Sequence, residues 1–243
     1  MDDKPQANLS QIETRWSLVL QAHQESGGAA AGARRELIER YAEAVHRYLL
    51  YATRDADLAA DLAQEFALRF LRGDFHRADP SRGRFRSYVK SAVNNLLIDA
   101  HRRRKHRPHP LPDDQDALRD PSGDLNDLDR QFLDCWRDAI MNRAWERLEH
   151  QQKESGPPFF TVLRFRADHP EMRSQEMADR LTGLLGKEVS AGWVRQNLRR
   201  ARERFVDLIQ AEVSHSLGHP TAEERDDELR NLGLWTFCRQ GLA

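Results

Sequence analysis

Apolar side chains return every three or four residues along most of this chain, the spacing that buries one face of a helix. Residues 36–50 carry such a stripe in Leu37, Tyr41, Val45, Tyr48 and Leu49. Residues 57–71 repeat it with Leu58, Leu62, Phe66 and Phe70, and Asp57 is placed to cap that helix. A third stripe, Val89, Ala92, Val93, Leu96 and Leu97, predicts a helix over 85–104. Its apolar positions stop at Ala100 while basic residues continue, so the last turns are expected to be anchored by a bundle and to present charge outward. Helical pattern resumes over 130–149 with Phe132, Trp136, Ile140, Trp145 and Leu148. A short apolar helix is predicted over 159–167, then 175–184 capped by Ser174, and a long helix to about residue 213 capped by Ser190. A last amphipathic segment covers 223–238. Few runs of Val, Ile and Thr exist to build a sheet, so the predicted fold class is all-α.

Breaks in the pattern divide the chain. Gly73 and residues 79–83 punctuate one loop, and residues 155–158 and 183–189 mark two others. Pro108, Pro110, Pro112 and Pro121 stand in a stretch without periodicity, which predicts a linker over 108–129. Extended, roughly 20 residues at about 3.3 Å each would span some 65 Å. Two tethered modules could then reach sites nearly two DNA turns apart, at about 34 Å per turn. With 243 residues, 39% hydrophobic and 32% charged, small solvated helical domains fit better than one large core. The expected division is a first domain over 10–107, the linker, a second domain over 130–213 and a C-terminal extension over 214–243.

Charge changes this picture from architecture to partner. The formal net charge is only −1, yet residues 77–107 hold ten Lys and Arg against Asp79 and Asp99. Residues 110–129 show the reverse, seven Asp against Arg119. A local basic block of this kind is the footprint of phosphate binding. The acidic linker would disfavour DNA binding by the free chain through repulsion. No stretch approaches the roughly 18 apolar residues of a membrane span, and the first eight residues are polar, unlike a signal peptide. Cys135 and Cys238 match no metal-ligand spacing, which suits a reducing cytoplasm.

Two segments carry candidate chemistry. In the second domain, 174–181 and 190–202 form a helix, connection and longer helix, with Ala178 permitting close approach and Leu181, Val194 and Leu198 at the junction: a helix-turn-helix pattern. With Val194, Leu198, Ala201 and Phe205 against the core, Trp193, Gln196, Arg199, Arg200 and Glu203 face away, flanked by Arg195 and Arg202. Residues near the start of such a helix meet base edges, and later arginines meet phosphates. The connection 182–189 is longer than usual, which leaves the register of this helix open by one or two residues. In the first domain, Asn95, Asp99 and Arg102 share one helix face, next to Asn94 and Arg103. Amides read base edges, arginines hold phosphate, and Phe85, Tyr88 and residues 79–84 could receive an unstacked base. Each segment has a plainer reading, as an ordinary solvated surface helix or a basic helix end for any polyanion.

With these motifs in order, the chain resembles the extracytoplasmic-function sigma factors of bacterial RNA polymerase. Asp61-Leu62-Ala63-Gln64-Glu65-Phe66 resembles the core of sigma region two. The resemblance implies polymerase binding through Asp61, Gln64 and Glu65, the last two being surface residues of a polar helix face. Residues 85–88 and 94–103 resemble the promoter-melting and minus-ten segments, implying DNA contacts from Arg84, Arg86, Tyr88, Asn94, Asn95, Asp99, Arg102 and Arg103. The helix-turn-helix resembles region four, implying minus-thirty-five contacts from Trp193, Arg195, Gln196, Arg199 and Arg200. Thr14 to Leu18, residues 77–87 and Asp226 to Arg230 resemble a subgroup with a short C-terminal extension. The implied partners are core RNA polymerase, promoter DNA and an anti-sigma factor or other regulator, with no cofactor and no membrane insertion. The extension has two readings, a helix packed on region four or a segment that masks DNA or polymerase contacts.

The rivals explain less. An enzyme would need more than is visible: His101, His106 and His109 lie in a basic, Pro-terminated tail without carboxylates at ligand spacing, and neither a phosphate loop nor a nucleophile elbow occurs. No metal site and no catalytic residue are expected. A stand-alone helix-turn-helix regulator is the nearer alternative, but it leaves Asp61 to Phe66 and the basic block without a role.

Overall fold

The computed structural model describes residues 28–72, 85–105, 125–154, 156–217 and 220–241, and every regular element among them is helical. The helices are α1 (Gly28–Thr53), α2 (Ala56–Arg72), α3 (Phe85–Lys105), α4 (Leu125–Lys153), α5 (Phe159–Asp168), α6 (Ser174–Leu185), α7 (Ala191–Leu217), α8 (Ala222–Asn231) and α9 (Trp235–Gly241). The all-α expectation holds. The chain divides into two compact units, one ending at Trp136 and including Ser214–Pro220, the other comprising Arg137–Val213 and the residues from Thr221 onward.

The first unit is a bundle in which α1 packs on α2 and α3. Each apolar stripe turns inward: Tyr41, Val45, Tyr48 and Leu49 from α1, Leu62, Phe66 and Phe70 from α2, and Val89, Val93, Leu96 and Leu97 from α3 are all buried. The first turns of α4 complete this core. Tyr48 meets the edge of Phe132 at 5.1 Å, and Tyr41 stacks on Trp136 at 4.5 Å between ring centroids. Two acids on the same stretch tie it to its neighbours. Tyr51 donates to Asp127 Oδ2 at 2.8 Å, and Lys90 Nζ lies 2.5 Å from Asp129 Oδ1. Those contacts explain why α4 starts at Leu125, five residues before the helix start predicted at residue 130. The rest of the predicted acidic linker, up to residue 124, lies outside the described residues, as do residues 14–18 and 77–84.

Helix boundaries differ from expectation in instructive ways. Between α1 and α2 the chain turns at Arg54, a non-glycine residue at φ 54°, with its N–H donating to the Leu50 carbonyl at 2.9 Å. The cap of α2 is Asp55, whose Oδ1 accepts from the Leu58 N–H at 3.0 Å; Asp57, the expected cap, lies in the first turn.

In the second unit, the later turns of α4 pack with α5–α9 around Ile140, Leu148, Val162, Met177, Leu181, Leu198, Phe205 and Ile209. Trp145 contacts Phe205 at 4.4 Å and Phe160 at 6.0 Å. The α4–α5 turn is pinned by Gln152, whose Oε1 accepts from the Thr161 N–H at 3.0 Å while its Nε2 donates to Thr161 Oγ1 at 2.7 Å. Gly156 sits so close to the Gln151 carbonyl oxygen that a Cβ could not fit. The predicted extension is helical but not one segment: α8 and α9 are separated at Gly233, φ 70°. Thr221 and Glu224 form a reciprocal capping box at the start of α8. Leu229, Leu232, Leu234 and Cys238 are buried, and Phe237 meets the edge of Phe205 at 6.1 Å. Helices α8 and α9 of the predicted extension are therefore part of the second unit's core, while Ser214–Pro220 groups with the first unit.

Candidate nucleic-acid interface

In the first unit, α2 exposes a largely polar face that runs from Asp61 to Arg72. Asp61 and Gln64 are exposed, and with Glu65, Leu68, Arg69 and Arg72 they line an open groove of about 530 Å³. Leu68 is 43% exposed, a large apolar side chain left in a polar setting. Gln64 meets the expectation of a surface residue. Glu65 does not stand free: one carboxylate oxygen is paired with Arg69 and the other accepts from Arg103 Nη2 of α3 at 3.2 Å. Burial pushes its carboxyl up, but the hydrogen bonds from Arg103 and Arg69 outweigh that and hold it below the usual glutamate value. Arg69 reaches on to Asp99 at 4.0 Å. The sequence could not show this network, because it joins residues 38 positions apart.

The α3 candidates split by environment. Asn95, Arg102 and Arg103 are exposed, and Asp99 is about half exposed, so Asn95, Asp99 and Arg102 share an open face as expected. Asn94 is different. It is half-buried, and its Oδ1 accepts from the Tyr48 hydroxyl at 2.9 Å, an α1–α3 contact inside the bundle. Burial, with Asp129 and Cys135 nearby, pushes the Tyr48 phenol up to about 12, so it stays a donor at any ordinary pH. Tyr88 is half-buried and its phenol is likewise raised by burial. Arg86 is half-buried. Arg104, not among the candidates, turns toward Asp55 at 3.7 Å and thereby fixes the end of α3 against the α1–α2 corner. Arg84 and the side chain of Phe85 lie outside the described residues.

In the second unit, α6 and α7 form the expected helix pair. Met177, Ala178 and Leu181 of α6 and Val194, Leu198, Ala201 and Phe205 of α7 are buried. Arg195, Gln196, Arg199 and Arg200 are exposed on the opposite face, and Trp193 is half-buried with Lys187 Nζ 5.1 Å from its ring centroid. Arg202, the other predicted flank, is exposed too. Ser190 is the cap, its Oγ accepting from the Trp193 N–H at 3.2 Å. Ser174, in contrast, is the first residue of α6; the cap position is Arg173, whose side chain makes no cap hydrogen bond.

The connection is shorter than the sequence suggests. Gly183 stays helical, α6 runs to Leu185, and Gly186 ends it in the left-handed conformation at φ 64°. Only residues 186–190 connect α6 to α7, and Thr182 Oγ1 accepts from the Val189 N–H at 3.2 Å to close that turn. Sequence reasoning missed Asn197, buried on α7, whose Nδ2 donates to the Trp193 carbonyl at 2.9 Å. It also missed Arg147, which pairs with the buried Glu212 at 2.7 Å and ties α4 to α7 behind the exposed face. Among the described residues, no group of His, Cys, Asp and Glu is arranged to hold a metal ion, and no helix is long and apolar enough to cross a membrane.

Residues 37–107 match the Sigma-70 region 2 family, a span that runs from α1 through α3 and contains both the α2 groove and the basic end of α3. No curated protein matches the chain. No solved structure matches it either. Residues 37–107 thus form a sigma-70 region 2 domain within the first unit.

Proposed function

We propose that this protein is a sigma factor of the extracytoplasmic-function kind, which binds core RNA polymerase and directs it to recognise and melt promoters. The observation that carries this reading is the region 2 match, which coincides with a solvent-facing groove on α2 and an arginine-rich end of α3. Asp61, Gln64 and Glu65, with Leu68 beside them, form the polymerase-contacting face. An exposed leucine among polar groups is the composition expected of a docking surface with a small apolar centre.

On α3, Arg86, Asn95, Arg102 and Arg103 contact the minus-ten DNA, with Arg84 on the preceding segment. Tyr88 offers an aromatic face for an unstacked base, and Asp99 and Asn94 orient their neighbours. Unstacking a base costs a few kcal/mol, which stacking and phosphate contacts must offset. The second unit acts as region four. Trp193 and Gln196, near the start of α7, approach base edges of the minus-thirty-five element, while Arg195, Arg199 and Arg200 contact phosphate or guanine. Core polymerase and promoter DNA are the partners; the geometry supports packing of the extension rather than masking.

Two measurements test the assignment of faces. Asp61→Ala with Gln64→Ala removes two exposed side chains, so core polymerase binding should weaken while the unfolding midpoint stays unchanged. Arg199→Ala or Arg200→Ala should cost about 1–3 kcal/mol in binding to the cognate upstream element if that arginine reads a base. Affinity unchanged in both arginine variants would remove α7 from promoter reading. DNA binding that is specific and independent of polymerase would favour a stand-alone regulator instead.

A further inference from the structure

Four charged residues tie the two candidate faces of the first unit together. Glu65 lies in the α2 groove, and Arg103 lies at the basic end of α3. The Glu65 carboxylate spends one oxygen on Arg69 and the other on Arg103, 3.2 Å away. Arg103 is drawn back over its own helix as well, its Nε 3.4 Å from the Asp99 carbonyl oxygen. Arg69 bridges from Glu65 toward Asp99. The Arg103 side chain is 60% exposed, so the pair is held at the surface where water and a competing anion can displace it.

We infer that Glu65 is a positioning residue that holds Arg103 off DNA in the free chain, and that a partner seated in the α2 groove releases it. The release rests on the proposed reading of that groove as the polymerase-contacting face. A partner that draws the Glu65 carboxylate toward itself removes the acceptor of Arg103, whose guanidinium then turns to a phosphate. Each surface thereby senses the other through one carboxylate, and DNA contact by the polymerase-free chain is weakened by the charge that polymerase would occupy. This differs from Arg104, whose less exposed pairing with Asp55 belongs to the fold.

The test uses the full chain and a labelled DNA duplex carrying an unpaired stretch, first without polymerase and at low salt. Glu65→Gln keeps the side chain's shape and should tighten DNA binding about two- to fivefold, the range of an exposed ion pair. Asp57→Asn removes the same charge from α2 away from Arg103 and should have a clearly smaller effect. In an Arg103→Ala background, Glu65→Gln should give no gain. At core polymerase concentrations that saturate each chain separately, the complexes of the parent and of Glu65→Gln should hold the same DNA equally well, because Arg103 is released in both. No gain from Glu65→Gln, an equal gain from Asp57→Asn, a gain that survives Arg103→Ala, or a difference that persists with polymerase would each overturn the inference. Failure of the unmodified chain to bind core polymerase in a pull-down would instead overturn the reading of the groove, while the DNA arms still decide whether Glu65 restrains Arg103.

Discussion

Replacing Asn94 with Ala separates two roles that the sequence allows and the structure distinguishes. Asn94 was expected to touch DNA, yet its amide oxygen accepts the hydrogen bond of the Tyr48 hydroxyl at 2.9 Å. Tyr48 is wholly buried in the α1–α3 core, with Phe132 against its ring. Asn94→Ala therefore leaves a phenol donor facing a smaller side chain, and a buried donor without an acceptor costs about 1–3 kcal/mol. Because Asn94 is only half-buried, water can reach part of the gap, which argues for the lower half of that range. Tyr48→Phe removes the donor and should cost about 0.5–1.5 kcal/mol. The double variant should lose less than the sum, with a coupling of about 1 kcal/mol. Urea unfolding followed by circular dichroism measures all three, and binding to a DNA bubble measured well below the midpoint reports the other role. If Asn94→Ala leaves stability within about 0.5 kcal/mol and instead weakens bubble binding, the packing role is wrong.

Three further outcomes follow from the same contacts. Gly156→Ala should destabilise the second unit by about 1–3 kcal/mol in chemical unfolding, because a Cβ there meets the Gln151 carbonyl; a neutral result would mean the α4–α5 turn relaxes freely. The depressed Glu65 carboxyl contributes stability above its unfolded value near 4.5, and that contribution is lost as pH falls through the lower folded value. Glu65→Gln should flatten the acid limb of a stability profile, and an unaltered limb would refute the pairing. Ending the chain after Leu217 removes Leu229, Leu232, Leu234 and Cys238 from the core, so thermal unfolding of the second unit should move down; tighter DNA binding without loss of stability would revive the masking reading.

Where sequence succeeded, one helix face decided the outcome. The stripes through Val45 and Leu49, Leu62 and Phe66, Val93 and Leu97, and Val194 and Leu198 all turn inward, because an apolar repeat near 3.6 residues has one economical burial. Ser190 was legible as a cap for a similar local reason. Boundaries failed where two local signals competed. Asp55 and Asp57 both suit a cap, and the turn at Arg54 selects the former. Gly183 and Gly186 both suit a helix end, and only the second takes the left-handed conformation. Asp127 and Asp129 read as linker charge because their partners, Tyr51 and Lys90, are distant in sequence. The same limit hid the Glu65–Arg103 pair and the use of Asn94 by Tyr48. Periodicity shows which face is outward, not which outward groups are already engaged.

Reconstitution with purified core RNA polymerase tests the central claim most directly. Run-off transcription on fragmented genomic DNA should yield discrete start sites that depend on adding this protein and that share upstream elements. Start sites unchanged by its addition, together with no retention of core polymerase by the chain, would contradict the account.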